Sequence, residues 1–217
     1  MTTSMRDEIL NSVRQSCNAS SAQAVDDRIG LRQPNVVPAR GGGGDKISHV
    51  TFVEEAGLAG ADIECVDALK GVPAALAAYL KQQESGGNLR LATDPLMQDI
   101  PWEQELFLKP ASGAATGEDG VGVSIALAGI AETGSVMMAS SPERPAMLNV
   151  LPLINVVLLP ESRIVGNYEQ SLNLVRGNMP RMVTYITGPS RTADIELELL
   201  MGAHGPQRLL IMLIGEA

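Results

Sequence analysis

Two short polar segments in the C-terminal half of the chain combine hydroxyl groups, a glycine and charged side chains. The first is residues 131–136, Ala-Glu-Thr-Gly-Ser-Val, and the second is residues 188–196, Gly-Pro-Ser-Arg-Thr-Ala-Asp-Ile-Glu. Each follows an apolar run that predicts a strand, and the second continues into good helix formers up to Met201. A strand, a polar turn and a helix start leave backbone N–H groups free, which is the local geometry of an anion site.

Ordinary loop and helix-capping chemistry explains the same residues, because Ser, Thr and Asp favour helix starts for purely local reasons. Arg191 argues against that explanation, since a cation at a helix N-terminus is electrostatically unfavourable. An anionic ligand, or a carboxylate such as Glu132, would compensate the charge. The sequence leaves both explanations open.

Three polar turns, beginning at Glu132, Pro160 and Ser190, follow predicted strands. Ligands of open α/β sheets gather beyond the carboxyl ends of the strands, so we expect the three turns to converge on one crevice. Glu132 is the candidate catalytic residue, as general base or nucleophile, with a structural ion pair to Arg163 or Arg191 as the alternative. The predicted ligand-binding residues are Thr133, Gly134, Ser135, Arg163, Ser190, Arg191, Thr192, Asp194 and His204.

The basic residues beyond Lys109 are all arginines. Arginine makes bidentate contacts with carboxylates and phosphates, so this bias fits acidic ligands. Codon usage would give the same count, and that is our interpretation of Arg176, Arg181 and Arg208. His204 is either an acid/base reaching over the pocket or a loop residue between the last helix and strand.

The composition fits one α/β domain and excludes some partners. The 217 residues are 45% hydrophobic but only 3% aromatic, which suits helices covering a buried sheet. The formal net charge of −9 leaves no broad basic face for nucleic acid or an anionic membrane. The N-terminus lacks the order of a signal peptide, and the longest apolar run is too short to span a bilayer. We expect a cytoplasmic protein.

The two cysteines, Cys17 and Cys65, are far apart. A [4Fe–4S] cluster normally needs four thiolates, so we expect no such cluster in this chain alone. The two histidines, His49 and His204, show no metal-ligand spacing either. The sequence therefore predicts no metal site and no cofactor in this chain.

The order of patterns predicts an N-terminal helical arm followed by an α/β domain with a mostly parallel sheet and flanking helices. Residues 1–45 contain a helix over 4–17 and a Gly- and Pro-rich linker, and residues 46–217 form the α/β domain. The predicted helices of this domain are 47–58, 72–84, 168–175 and 193–201. Its predicted strands are 62–66, 89–93, 106–108, 120–130, 136–139, 153–159, 182–187 and 209–214.

In its C-terminal half the chain resembles the LUD-domain family, in its lactate-utilisation protein C type. The resemblance covers about ninety residues. The motifs that carry it, in chain order, are residues 130–136 (Ile-Ala-Glu-Thr-Gly-Ser-Val), 141–145 (Ser-Pro-Glu-Arg-Pro), 151–152 (Leu-Pro), 160–165 (Pro-Glu-Ser-Arg-Ile-Val), 188–196 (given above) and 202–206 (Gly-Ala-His-Gly-Pro).

The resemblance implies a fold like that of the phosphosugar-isomerase and CoA-transferase superfamily. It also implies a role in oxidising L-lactate to pyruvate beside iron–sulfur partner proteins, with this chain as the cluster-free subunit that binds an anionic ligand or docks the partners. The alternative is a stand-alone enzyme acting on a phosphorylated or CoA-linked small molecule, with Glu132 as acid/base and Ser190, Arg191 and Thr192 as the anion cradle. The sequence leaves open whether the chain is itself catalytic.

Overall fold

The computed structural model describes residues 5–16, 22–31, 45–117, 119–193, 199–202 and 204–216. The chain divides into two compact units, Met1–Val36 and Val37–Ala217. The first unit contains two helices, α1 (Met5–Ser16) and α2 (Ala22–Gly30). The spacing of apolar residues along the first helix predicted it correctly. No helix in the described ranges is both long enough and apolar enough to cross a membrane.

The second unit alternates strands and helices. Its helices are α3 (Asp45–Leu58), α4 (Val72–Gln82), α5 (Pro95–Gln98) and α6 (Tyr168–Asn173). Its strands are β1 (Asp62–Ala68), β2 (Asn88–Leu91), β3 (Lys109–Ser112), β4 (Val121–Ile125), β5 (Ala128–Ile130), β6 (Ser135–Ala139), β7 (Ile154–Pro160), β8 (Ile164–Val165), β9 (Val183–Ile186), β10 (Arg191–Ala193), β11 (Leu199–Met201) and β12 (Arg208–Glu216).

A six-stranded sheet of order β1-β12-β7-β4-β2-β3 forms the centre of this unit, and every neighbouring pair in it is parallel. Strands β4 and β7 are buried at every position, as expected for parallel strands covered on both faces. Leu76 and Leu80 of α4 pack on one face of the sheet. Phe52 and Ala56 of α3 pack on the other. The predicted α/β fold with a mostly parallel sheet is confirmed.

A second, mixed sheet of order β8-β5-β6-β9 follows a break that the sequence did not indicate. Residues 120–130 were predicted as one strand, but the chain leaves the parallel sheet after Ile125 and re-enters pairing at Ala128. Strand β5 pairs antiparallel with β6 and parallel with β8. A single apolar run therefore supplies strands to two sheets.

The predicted helix over 193–201 is wrong where the structure describes this range, at 193 and at 199–201. Strand β10 pairs antiparallel with β11, and Arg191 lies opposite Met201. Residues 195–199, Ile-Glu-Leu-Glu-Leu, are good helix formers, but apolar and charged residues also alternate there with a period of two, so the sequence pattern fits either structure. Asp194 lies outside the described residues.

The strand predicted at 106–108 is also misplaced, because β3 begins at Lys109. All four residues of β3 are exposed, so this edge strand has no apolar signature that a sequence pattern could reveal. The other predicted helices and strands of this unit lie within a few residues of the observed elements.

The turn between β5 and β6 packs directly on the backbone of α3. Gly134 has a φ of +63°, and a Cβ atom at this position would collide with backbone atoms of Glu55 and Ala56. Gly188, with a φ of +80°, makes a similar approach to the carbonyl of Ala59. The absence of a side chain is thus a packing requirement as well as a conformational one.

We expect Gly134→Ala to lower the free energy of unfolding by about 2–4 kcal/mol, because it combines a strained φ with overpacking against helix backbone. Gly57→Ala is the matched control. Gly57 is exposed in α3 and has open space around its Cα, so alanine there should raise stability by about 0.5–1 kcal/mol. Urea denaturation of both variants measures the difference, and equal stabilities would refute the close approach.

Candidate functional site

The β5–β6 turn holds Glu132 by its backbone and by one carboxylate oxygen. The Glu132 backbone N–H donates to the carbonyl of Gly166 at 3.1 Å. Its Oε1 accepts a hydrogen bond of 3.2 Å from the N–H of Tyr168, the first residue of α6. Its Oε2 is buried, and none of the described residues donates a hydrogen bond to it. One carboxylate oxygen is therefore anchored, and the other has its full acceptor capacity to spare.

Four hydroxyl groups meet beside this turn; we call them the hydroxyl cluster (Thr133, Ser135, Tyr168 and Thr187). The Oγ of Ser135, which is fully buried, lies 2.8 Å from Thr133 Oγ1, 3.0 Å from Tyr168 Oη and 2.5 Å from Thr187 Oγ1. Thr133 Oγ1 also donates to Tyr168 Oη at 3.2 Å. Tyr168 links the cluster to Glu132, because its hydroxyl belongs to the cluster while its backbone N–H holds the carboxylate.

The direction of the bonds in the hydroxyl cluster can reverse. A hydroxyl carries one hydrogen and two lone pairs, and either Ser135 or Thr187 can donate in their shared bond. When Ser135 donates, the hydrogen of Thr187 becomes free to bind something else. Thr187 is the exposed member of the hydroxyl cluster.

Tyr168 is held in place by a second tyrosine. The rings of Tyr168 and Tyr185 lie 4.8 Å apart between centroids, in an edge-to-face arrangement with an interplanar angle of 72°. The hydroxyl of Tyr185 in turn bonds to Ser171 Oγ at 3.0 Å, and Ser171 Oγ donates to the carbonyl of Tyr168 at 2.8 Å. The hydroxyl cluster therefore rests on a fixed aromatic side chain.

The two polar loops that follow β9 and β11 pack together. Ser190 N–H donates to the carbonyl of Pro206, and Gly202 N–H donates to the carbonyl of Ser190, both at 2.9 Å. His204 lies on the second loop with its side chain exposed. These loops flank the start of β12, because the N–H of Gln207 bonds to the carbonyl of Leu153 just before β7 begins. They therefore lie at the amino end of the parallel sheet.

Arg191 lies at a helix end, but at the opposite end from the one expected. Its guanidinium fills the space beside Gly60, two residues past the last residue of α3. From the sequence this cation was predicted at a helix N-terminus, where it would be unfavourable. At the C-terminus of α3 the backbone carbonyls favour a positive charge instead. The described residues show no ion pair between Arg191 and Glu132. The charge of Arg191 is therefore no evidence for a bound anion.

Arg163 lies at the carboxyl end of the parallel sheet. Its Nη1 donates at 2.8 Å to the carbonyl of Ala126, one residue past the carboxyl end of β4. Ser190 and Arg191 lie near the amino end of the same sheet, so the expected convergence of three turns on one crevice is wrong. The rule for strand ends applies to an open parallel sheet, whereas Glu132 and Ser190 follow strands of the second, mixed sheet.

The structure also shows a cleft that the sequence argument did not identify. It has a volume of about 930 Å3 and lies between the loop at 140–146 and the segment 174–182. Arg144 and Arg181 line it. The only sequence signal was the motif at 141–145, which supported the resemblance but received no site role. In the described part of the chain, no group of three or more His, Cys, Asp or Glu side chains could hold a metal ion.

A fold of this type, with a parallel sheet and a second mixed sheet carrying a polar turn, has known relatives. Residues 118–214, somewhat less than half of the chain, match the LUD domain. A crystal structure of a DUF162 family protein from Deinococcus radiodurans superimposes with a TM-score of 0.58, covering 79% of this chain and 98% of that one. Its sequence identity is 17%, so it shows a shared fold.

Two relatives in sequence differ in how much they share with this chain. Lactate utilization protein C of Bacillus subtilis is 28% identical over 177 residues, which cover 77% of this chain and 74% of that protein. An uncharacterized protein of Neisseria meningitidis serogroup B is 43% identical over 96 residues. That match covers 43% of this chain and 41% of the Neisseria protein, so this chain spans less than half of that protein's length.

Ser135→Ala removes the central member of the hydroxyl cluster. We expect it to lower the free energy of unfolding by about 1–3 kcal/mol, because three hydroxyls lose a buried partner. Ser162→Ala, at an exposed serine, should change stability by less than about 0.5 kcal/mol. A double-mutant cycle with Thr187→Val measures the coupling directly, and strictly additive losses would show that the Ser135–Thr187 bond does not contribute.

Arg163→Met tests whether Arg163 has a structural role. The carbonyl of Ala126 would lose its charged donor, so we expect stability to fall by about 1–3 kcal/mol. The loss should be the same with and without an added organic anion. Arg176→Met, at an exposed arginine, is the control and should have little effect. A variant that folds normally but no longer responds to the anion would instead make Arg163 a ligand residue.

Proposed function

We propose that this chain takes part in lactate utilisation as a component that binds a small hydroxy acid at the Glu132 turn. Similarity to lactate utilization protein C of Bacillus subtilis over three quarters of that protein's length supports the biological role. The observation that carries the site is the buried Oε2 of Glu132, which lacks a hydrogen-bond donor among the described residues. A buried acceptor without a donor is costly, and a ligand hydroxyl would supply the donor.

The chemistry of a 2-hydroxy acid matches this turn in two places. Its hydroxyl donates to Glu132 Oε2, and its carboxylate accepts from the hydroxyl cluster, whose hydrogens can be redirected through Thr187. The exposure of Thr187 marks the side from which a small molecule reaches the cluster. In this proposal Glu132 also receives the hydroxyl proton when the acid is oxidised.

Oxidation of L-lactate to pyruvate releases two electrons and two protons: Glu132 takes the hydroxyl proton, the C2 proton passes to solvent, and the two electrons need an acceptor. We assign that role to iron–sulfur clusters of partner proteins, because Cys17 and Cys65 are too few thiolates for a cluster. This chain then acts in the cytoplasm as the cluster-free component. The other predicted ligand contacts, at Ser190, Thr192 and His204, stay predictions.

A stand-alone enzyme of the CoA-transferase or phosphosugar-isomerase type is the second candidate. The same free carboxylate oxygen of Glu132 favours it, because a carboxylate with spare acceptor capacity can act as general base or nucleophile without any partner protein. Turnover of a CoA ester or a sugar phosphate by the purified chain alone would establish this alternative.

Glu132→Gln is the decisive variant. Glutamine keeps an oxygen for the Tyr168 N–H but replaces the other acceptor by a donor, so we expect L-lactate to bind at least about tenfold more weakly in calorimetry. A strain whose own copy of this gene is deleted should grow on L-lactate when it carries the wild-type gene. It should grow poorly when it carries the gene for this variant. Glu103→Gln, at an exposed glutamate, is the control and should behave as wild type in both assays.

Equal L-lactate binding and equal growth with Glu132→Gln would overturn the proposed site. Equal melting temperatures of the variant and the wild type would show that any loss of binding or growth does not come from a folding defect. Growth on L-lactate without the gene would overturn the role itself.

A further inference from the structure

We propose that the cleft between the loop at 140–146 and the segment 174–182 is a second binding site, for an organic anion with an apolar body. Nothing in this proposal depends on the Glu132 turn. The cleft begins at Ala139, the last residue of β6, whereas the hydroxyl cluster lies at Ser135, the first residue. At about 3.3 Å per residue, the two places are about 13 Å apart along the strand.

The cleft lies where α/β sheets hold ligands. Leu127 lines it two residues past the end of β4, and Asp94, which pairs with the cleft residue Arg144, lies three residues past the end of β2. The carboxyl ends of two neighbouring parallel strands therefore face it. Its volume of about 930 Å3 falls in the range of small-molecule sites and exceeds what a three-carbon acid would fill.

The lining combines apolar side chains with two cations. Leu127, Val175 and Met182 are among its apolar residues, and Arg144 and Arg181 are its charged ones. No carboxylate is among the described residues that line it. Arg144 is balanced by Asp94 behind the lining, and no ion pair to Arg181 occurs among the described residues, so in a chain with a formal net charge of −9 the charge of Arg181 makes this cavity favour an anion.

Arg144 is oriented by its surroundings before any ligand arrives. Its Nε lies 3.0 Å from Asp94 Oδ2, while Asp94 Oδ1 accepts from the N–H of Leu96 and so caps α5. The Arg144 backbone N–H donates to Ser141 Oγ at 3.2 Å. The Thr93 N–H ties the same loop to the strand end by donating to the carbonyl of Glu143 at 2.9 Å. A guanidinium held this way loses little freedom on binding.

The donors of Arg144 are not used up by these contacts. The Nε atom is buried, and its contact with Asp94 lacks the alignment of a hydrogen bond. A guanidinium carries five N–H donors, and its fork matches the two oxygens of a carboxylate. Arg181 adds a second positive charge to the same lining. A carboxylate at the arginines with its apolar body along Leu127 and Val175 uses all of these features.

Octanoate is a suitable probe, and octanamide is its neutral counterpart of nearly the same shape. In calorimetry with the full chain, we expect saturable binding of octanoate and binding of octanamide at least about tenfold weaker. Arg181→Met should weaken octanoate binding several-fold. Ala146→Phe should weaken it several-fold, because the added ring narrows the cleft without changing any charge.

Arg176→Met and Glu132→Gln are the controls, and both should bind octanoate as the wild type does. The second control separates this site from the proposed hydroxy-acid site, so either can fail alone. Octanoate binding weaker than about 1 mM in the wild type, equal binding of octanamide, or unchanged binding by Arg181→Met and Ala146→Phe would each overturn the proposal.

Discussion

The close approach of the β5–β6 turn to the backbone of α3 is the contact on which the rest of the site depends. Helix α3 covers one face of the parallel sheet, and the turn rests on the helix with no side chain between them at Gly134. This contact sets the distance between the mixed sheet and the helix. It thereby fixes where Glu132 and Ser135, on either side of the glycine, are presented.

The parts of the fold that follow from burial on two faces could be predicted from the sequence. Strands β7 and β12 are long apolar runs because helices cover both sides of the sheet, and the helical spacing in α3 and α4 completes the α/β order. The Glu132 turn could be identified because its polar residues interrupt an apolar region. None of this required knowledge of which strands are neighbours.

The errors arose where one pattern fits two structures. Residues 195–199 combine high helix propensity with a period of two, and the described residues beside them, in β10 and β11, pair as strands. The prediction that the three turns share one crevice was wrong for a related reason. A sequence shows that a turn follows a strand, but not to which of two sheets that strand belongs, and Arg163 and Ser190 turned out to lie near opposite ends of the parallel sheet.

The exposed edge of the parallel sheet has a consequence for association between molecules. Strand β3 is the last strand on that side, so its outer backbone groups could pair with another chain. Two of its residues work against this. Pro110 has no N–H to donate, and Lys109 places a positive charge where a second copy of the strand would bring its own. This edge is thereby protected from growing into a continuous intermolecular sheet.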